Sequence, residues 1–226
     1  TTTINTMIAY FASEGLELAL AAPTGRAAKR MSELSGQDAV TVHRLLGAKF
    51  AEDGETVVFA KDERDRLDCG AVILDECSMV DITLIDALLR ALPDDARLVM
   101  VGDADQLPSV GPGNILGEVI QSGVVPTVRL ERIFRQSGQS LIVKNAHRIV
   151  EGFVPQKGTK ESDFFFLPSA GMACQQLVCD LVSRRLPATY GFDPMRDIQV
   201  LCPSKLGPVG TTELNSCLQQ LLNPPP

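Results

Sequence analysis

Asp75 and Glu76 close the apolar run Val72-Ile73-Leu74, and Gly102-Asp103 close a second one, Leu98-Val99-Met100-Val101, with Gln106 a little further on. A continuous apolar run of this length suits a strand buried on both faces of a parallel sheet. Such sheets bind ligands at the carboxyl ends of their strands. An aspartate at that place can hold Mg²⁺ on a nucleotide, and a neighbouring glutamate can orient or deprotonate a water. A polar side chain in the second loop, Gln106, can reach a γ-phosphate. One apolar run ending in acids is a common coincidence, but two of them in one chain are much harder to reach by chance.

The chain has 226 residues, 45% of them apolar, enough for one large domain or two small ones with real cores. No apolar run approaches the ~20 residues of a membrane-spanning helix, and the start, Thr1-Thr2-Thr3, does not read as a signal peptide. The 6 cysteines (Cys69, Cys77, Cys174, Cys179, Cys202 and Cys217) form no CxxC pair, and the 2 histidines lie far apart, so no zinc site is expected. The cysteines read as free thiols of a reducing cytoplasm, with Cys174 and Cys179 as the pair to watch. The net charge of −7 argues mildly against a nucleic-acid partner, although the basic residues cluster: Arg26, Lys29 and Arg30, then Arg129, Arg132 and Arg135.

The elements that would position these residues follow from periodicity and breakers. Residues 1–13 read as a helix with Ile4, Met7, Ile8 and Phe11 on one face, stopped by Gly15. An apolar strand over 16–22 leads through Pro23-Thr24-Gly25 into a helix over 26–34 that Gly36 ends. The turn signal Glu52-Asp53-Gly54-Glu55 predicts a hairpin between 48–50 and 56–59, and the charge run 61–68 reads as solvated. Asp81 suits the N-cap of a helix over 82–92. Strands over 97–102 and 126–130 and a short helix over 114–122 would complete a first domain. Beyond it the pattern predicts helices over 140–151, 172–185 and 212–222 and strands over 163–167 and 198–202. This strand–helix alternation points to parallel α/β sheets.

The pair Leu74-Asp75-Glu76-Cys77-Ser78-Met79 and Gly102-Asp103-Ala104-Asp105-Gln106-Leu107-Pro108-Ser109-Val110-Gly111-Pro112-Gly113 resembles motifs II and III of superfamily 1 helicases, specifically the RecD-like branch, the exodeoxyribonuclease V alpha-subunit family. Ala22-Pro23-Thr24-Gly25-Arg26 resembles motif Ia, Thr41-Val42-His43-Arg44 the next DNA-facing segment, and Arg132-Ile133-Phe134-Arg135-Gln136 motif IV. The resemblance implies a RecA-like P-loop NTPase fold: a parallel sheet flanked by helices over residues 1–131, and part of a second RecA-like domain over 132–226. In this family the glycine–lysine phosphate loop runs straight into a helix like the first one here. The best fit makes Thr1 the threonine that follows the lysine, a ligand of Mg²⁺. That loop would then lie before residue 1, and the chain by itself is expected to bind ATP very weakly and not to hydrolyse it.

For the intact protein the resemblance implies an ATP-dependent helicase, moving 5′ to 3′ on single-stranded DNA and opening duplex junctions in repair and recombination. ATP and Mg²⁺ would be its cofactors. Asp75 would hold the metal, Glu76 would activate water, Gln106 would sense the γ-phosphate, and Arg135 would reach that phosphate from the second domain; a guanidinium suits this because its planar fork never deprotonates. Pro23, Thr24, Gly25 and Arg26 would touch the DNA backbone together with His43, where the alternatives are an ordinary loop with a solvated basic helix and a structural histidine. Other subunits of a recombination nuclease complex are possible partners, the compartment would be the cytoplasm, and no membrane is implied. Two other classes stay open: a non-helicase nucleotide switch on the same sheet, and a catalytically dead structural subunit.

Overall fold

Four consecutive residues, Ala71, Val72, Ile73 and Leu74, are fully buried and form an inner strand of the main sheet. The chain is described by a computed structural model covering residues 2–51, 53–54, 56–130, 140–159 and 161–224. It divides into two units, Thr1–Phe134 and Arg135–Pro226.

In the first unit, α1 (Thr2–Ser13), β1 (Leu18–Ala22), α2 (Gly25–Ser35), β2 (Ala39–Thr41) and α3 (Val42–Leu45) are followed by β3 (Lys49–Phe50), β4 (Val57–Val58) and the central β5 (Ala71–Leu74). Then come α4 (Ile82–Ala91), β6 (Arg97–Met100) and α5 (Ile115–Ser122). The main sheet has the order β2-β1-β5-β6, and every pairing in it is parallel. Leu20 faces Ile73 across β1–β5, and Leu74 faces Met100 across β5–β6. Alternating side chains of β5 therefore enter opposite layers. Ala71 and Ile73 pack with Ile4, Ile8, Phe11 and Met31 from α1 and α2. Val72 and Leu74 pack with Val42, Leu84, Leu88 and Leu116 from α3, α4 and α5. Helices on both faces explain why the β5 sequence is a continuous apolar run rather than an alternating one.

Local signals set most boundaries. Thr24 caps α2 by accepting from the Ala27 N–H at 3.2 Å, and Gly36 ends the helix at φ 70° with its N–H on Ser32 O. Asp81 caps α4 through Leu84 N–H at 2.8 Å. The expected hairpin is present as the antiparallel pair β3–β4. The charge run 61–68 is more than a solvated face. Lys61 pairs with Asp65 at 2.8 Å, Arg66 pairs with Asp94, and Arg90 bridges Glu63 and Asp86. Beneath these pairs Leu67 is buried and donates its N–H to Ala91 O, so the segment is strapped along α4.

Residues 126–130 form no strand, contrary to expectation, and Val128 and Leu130 are exposed. Pro126 has no N–H to give a ladder, and Thr127 turns its hydroxyl back to Val125 O.

The second unit, among its described residues, is helical: α6 (Leu141–Val150), α7 (Gly171–Asp180), a π turn (Leu181–Arg185), α8 (Leu186–Tyr190) and α9 (Thr211–Leu222). The expected helix over 172–185 runs on to Tyr190. The wide π turn lies where Pro187 lacks the N–H that would reach Ser183 O and its ring would crowd that carbonyl. The runs 163–167 and 198–202 are not strands. An apolar run becomes a strand only when another backbone pairs with it. Asp163 is instead committed to the start of α6, where it accepts from Leu141 N–H at 2.8 Å and from the Ser140 hydroxyl. Leu201 is exposed. Buried Asn145 ties α6 to the following loop, exchanging hydrogen bonds of 2.9 and 2.7 Å with the Gln156 backbone. The thiol partner of Cys179 is Cys217 on α9 rather than Cys174, and burial pushes Cys179 up to about 11.

Candidate nucleotide site at the carboxyl edge of the sheet

Because the sheet is parallel, all four of its carboxyl ends lie along one edge, and every described candidate residue lies there. Ala21 is in register with Leu74, and Leu74 with Met100. The turns that follow therefore stand side by side: Pro23-Thr24-Gly25-Arg26 after β1, Asp75-Glu76 after β5, and the loop with Gln106 after β6. Thr41 ends β2 in register with Ala22, which brings His43 to the same edge.

Asp75 continues the ladder by donating its N–H to Ala21 O at 2.9 Å. Its Oδ1 accepts from the Glu76 N–H at 2.9 Å. Glu76 then leaves the strand in a left-handed conformation, φ 55° and ψ 40°, the only non-glycine among the described residues with positive φ. That conformation costs about 1–2 kcal/mol for a residue with a Cβ. Strain of this kind persists where surrounding structure over-determines it. Here the neighbours are fixed: Cys77 N–H donates to Val101 O at 2.9 Å, and Val101 N–H to Leu74 O at 2.8 Å. Both carboxylates are half-buried. A Cβ on Gly102 would meet the Cys77 and Ser78 nitrogens at 3.0 and 3.2 Å, so glycine alone allows the β6 turn to lie this close.

Gln106 is exposed in the next loop, its N–H on Asp103 O at 3.2 Å. Thr24 is taken up by capping α2, while Gly25 and Arg26 are exposed. Arg26, Lys29 and Arg30 line a shallow hollow along α2 with Glu33 and Leu34. His43 is exposed on α3, its ring 5.9 Å from that of Phe59. Thr1 and Arg135 lie outside the described residues.

Among the described residues no cluster of three or more acidic, cysteine or histidine side chains could cage a metal. This donor set fits Mg²⁺, which binds through one or two carboxylates together with substrate phosphates and its own waters.

Three neighbours were not singled out for this site from the sequence. Cys77 is buried, and desolvation pushes its thiol up to about 12, with the negative charges of Asp75 and Glu76 adding to the effect. The Ser78 hydroxyl is buried without a partner among the described residues. Gly111 packs directly on Asp81. All three fall within the two motif stretches, but a cysteine, a serine and a glycine there carry no chemistry of their own that would mark a role.

Residues 1–112 match a family model described as an AAA domain. The ATP-dependent RecD2 DNA helicase of Deinococcus radiodurans is 37% identical over 212 residues, covering 94% of this chain and 27% of that protein. The RecBCD enzyme subunit RecD of Mycobacterium tuberculosis is 38% identical over 143 residues, covering 53% of this chain and 24% of its own. The chain thus spans about a quarter of the length of these curated relatives. A crystal structure of Bacteroides sp Pif1 in complex with ADP-AlF4 aligns over 62% of this chain and 38% of its own at 26% identity, with a TM-score of 0.38. The parallel sheet with helices on both faces is a RecA-like α/β layer. By these sequence matches and the motifs on the sheet edge, the chain belongs to the RecD-like family of superfamily 1 helicases.

Proposed function

We propose that the intact protein is an ATP-dependent DNA helicase that couples ATP hydrolysis to movement along single-stranded DNA. The observation that carries this reading is the Asp75–Glu76 turn: a pair of acids at the carboxyl edge of a parallel sheet, the second of them in the left-handed region, with Gln106 on the adjoining loop. The similarity to RecD2 and RecD supports it. On this reading residues 1–131 are the first RecA-like motor domain and 132–226 are part of the second. ATP lies against the sheet edge; Asp75 and Thr1 would hold Mg²⁺, and the metal would neutralise phosphate charge when bound. Glu76 orients and deprotonates the attacking water, Gln106 contacts the γ-phosphate, and Arg135 is the arginine that binds it.

Pro23, Thr24, Gly25, Arg26 and His43 contact single-stranded DNA, and α2 adds Lys29 and Arg30 to a basic stripe. Movement runs 5′ to 3′ and opens duplex junctions during repair or recombination, alone or with other subunits of a nuclease complex. No helix among the described residues is long and apolar enough to cross a membrane, and the proposed compartment is the cytoplasm.

The test is Glu76→Gln in the intact protein. ATP and single-stranded DNA should still bind, while DNA-stimulated turnover falls by about 10²–10⁴, the usual contribution of a positioned general base. Turnover at the wild-type rate overturns the assignment.

A further inference from the structure

The two turns of the proposed site are joined by a second set of contacts that the nucleotide chemistry does not use. Asp81 caps α4 with Oδ1, as described, and its remaining side-chain surface faces Gly111. A methyl group placed on Gly111 would press on Oδ2 and lie 2.7 Å from both Cβ and Cγ of Asp81. Gly111 is not in the left-handed region. Glycine is therefore required there for space, not for backbone freedom. Beside it, Ile82 N–H donates to Pro112 O at 3.0 Å. The Ser109 hydroxyl donates to Gly111 O at 3.0 Å and lies 3.2 Å from Gly113 O, closing the loop on itself. At the other end of the loop Gly102 is pressed on the amides of Cys77 and Ser78.

The loop carrying Gln106 is thus tied at both ends, 102 and 109–113, to residues 77–82, which begin immediately after Glu76. Between the ties Gln106 is exposed. Its place relative to Glu76 therefore depends on how the ties sit.

We propose that Gly111 is a positioning residue: having no Cβ, it closes onto Asp81, and this close approach keeps the Gln106 loop in register with the Asp75–Glu76 turn. This rests on the helicase reading for its catalytic consequence but not for the contact itself. A misplacement of about 1 Å in a catalytic site can lower the rate about a hundredfold.

The test is a reciprocal pair of substitutions. Gly111→Ala should push the loop away from Asp81 without straining the backbone. Asp81→Gly removes the obstructing atoms and still allows capping, because glycine at an N-cap costs only a few tenths of a kcal/mol. In the intact protein, Gly111→Ala should lower kcat for ATP hydrolysis about tenfold to a hundredfold, with KM for ATP little changed, and the double variant should recover most of it. Hydrogen exchange on the present chain gives the second readout: the Ile82 amide should exchange faster in Gly111→Ala and slow again in the double variant.

A Gly111→Ala protein with wild-type kcat overturns the proposal. So does a double variant that regains Ile82 protection but not kcat. If the intact wild-type protein hydrolyses no ATP, the helicase reading fails, and Ile82 exchange alone then decides whether the close approach of Gly111 to Asp81 sets the loop.

Discussion

Glu76 shows what a single residue contributes at this edge. It occupies a conformation that glycine adopts without penalty, yet it carries a carboxylate. Glu76→Gly should therefore stabilise the first unit by about 0.5–1 kcal/mol, after allowing for the greater freedom of glycine in the unfolded chain, while turnover of the intact protein is lost. Urea denaturation beside an ATPase assay checks both signs; a destabilised variant would show that the turn is not strained. Its neighbour Cys77 makes a pH prediction. The folded thiol is pushed up to about 12 from an ordinary 9.0, chiefly by burial. The folded state therefore holds this proton more tightly than the unfolded chain. The associated stability is present below pH 9 and is lost as pH rises towards 12. Cys77→Ala should flatten that part of the stability–pH curve, and Cys77 should resist alkylation at pH 8 in the folded protein while the half-buried Cys202 reacts faster.

Among the elements, caps and backbone-mimicking side chains carry boundaries that periodicity leaves loose. Asp81 starts α4 at the place its type suggests, whereas Thr24, read as part of a turn, proves to be the cap of α2. Asn145 could not be read this way. It is 1% exposed and acts as a strand-like partner for the Gln156 backbone, holding the chain that leaves α6. Asn145→Ala removes both hydrogen bonds to the Gln156 backbone and should destabilise the second unit by about 1–2 kcal/mol, as measured by thermal or denaturant melting. Asp163, which holds the start of α6, works in the same way from the outside. Its carboxyl lies below the usual range, chiefly through the Ser140 hydroxyl with the Leu141 and Ile142 amides adding to it, so its contribution is present at neutral pH and is lost as pH falls through the carboxylate range.

At the scale of the whole molecule the two units differ in what they bury. The first has a layer of apolar side chains on each face of its sheet. In the second the fully described buried positions are few, among them Asn145, Cys179, Val182 and Leu214, and Phe165, Phe166 and Leu201 are exposed. Opening free energy follows buried apolar contact. Amides of β1 and β5 should accordingly exchange slowest, and those of α7 and α9 markedly faster, by hydrogen-exchange mass spectrometry; equal protection would contradict this account. The sequence by itself determined the parts that depend on nearby residues: the continuous apolar run of β5, the cap Asp81, the hairpin turn, and acids at a strand end, because local backbone preferences and a period of two or 3.6 are written in neighbouring positions. Only the tertiary structure decided whether the runs 126–130, 163–167 and 198–202 found a pairing partner, which thiol lay against Cys179, and that Gly111 was filled by Asp81. Those outcomes depend on segments distant in sequence arriving at one place, and no local pattern encodes who arrives.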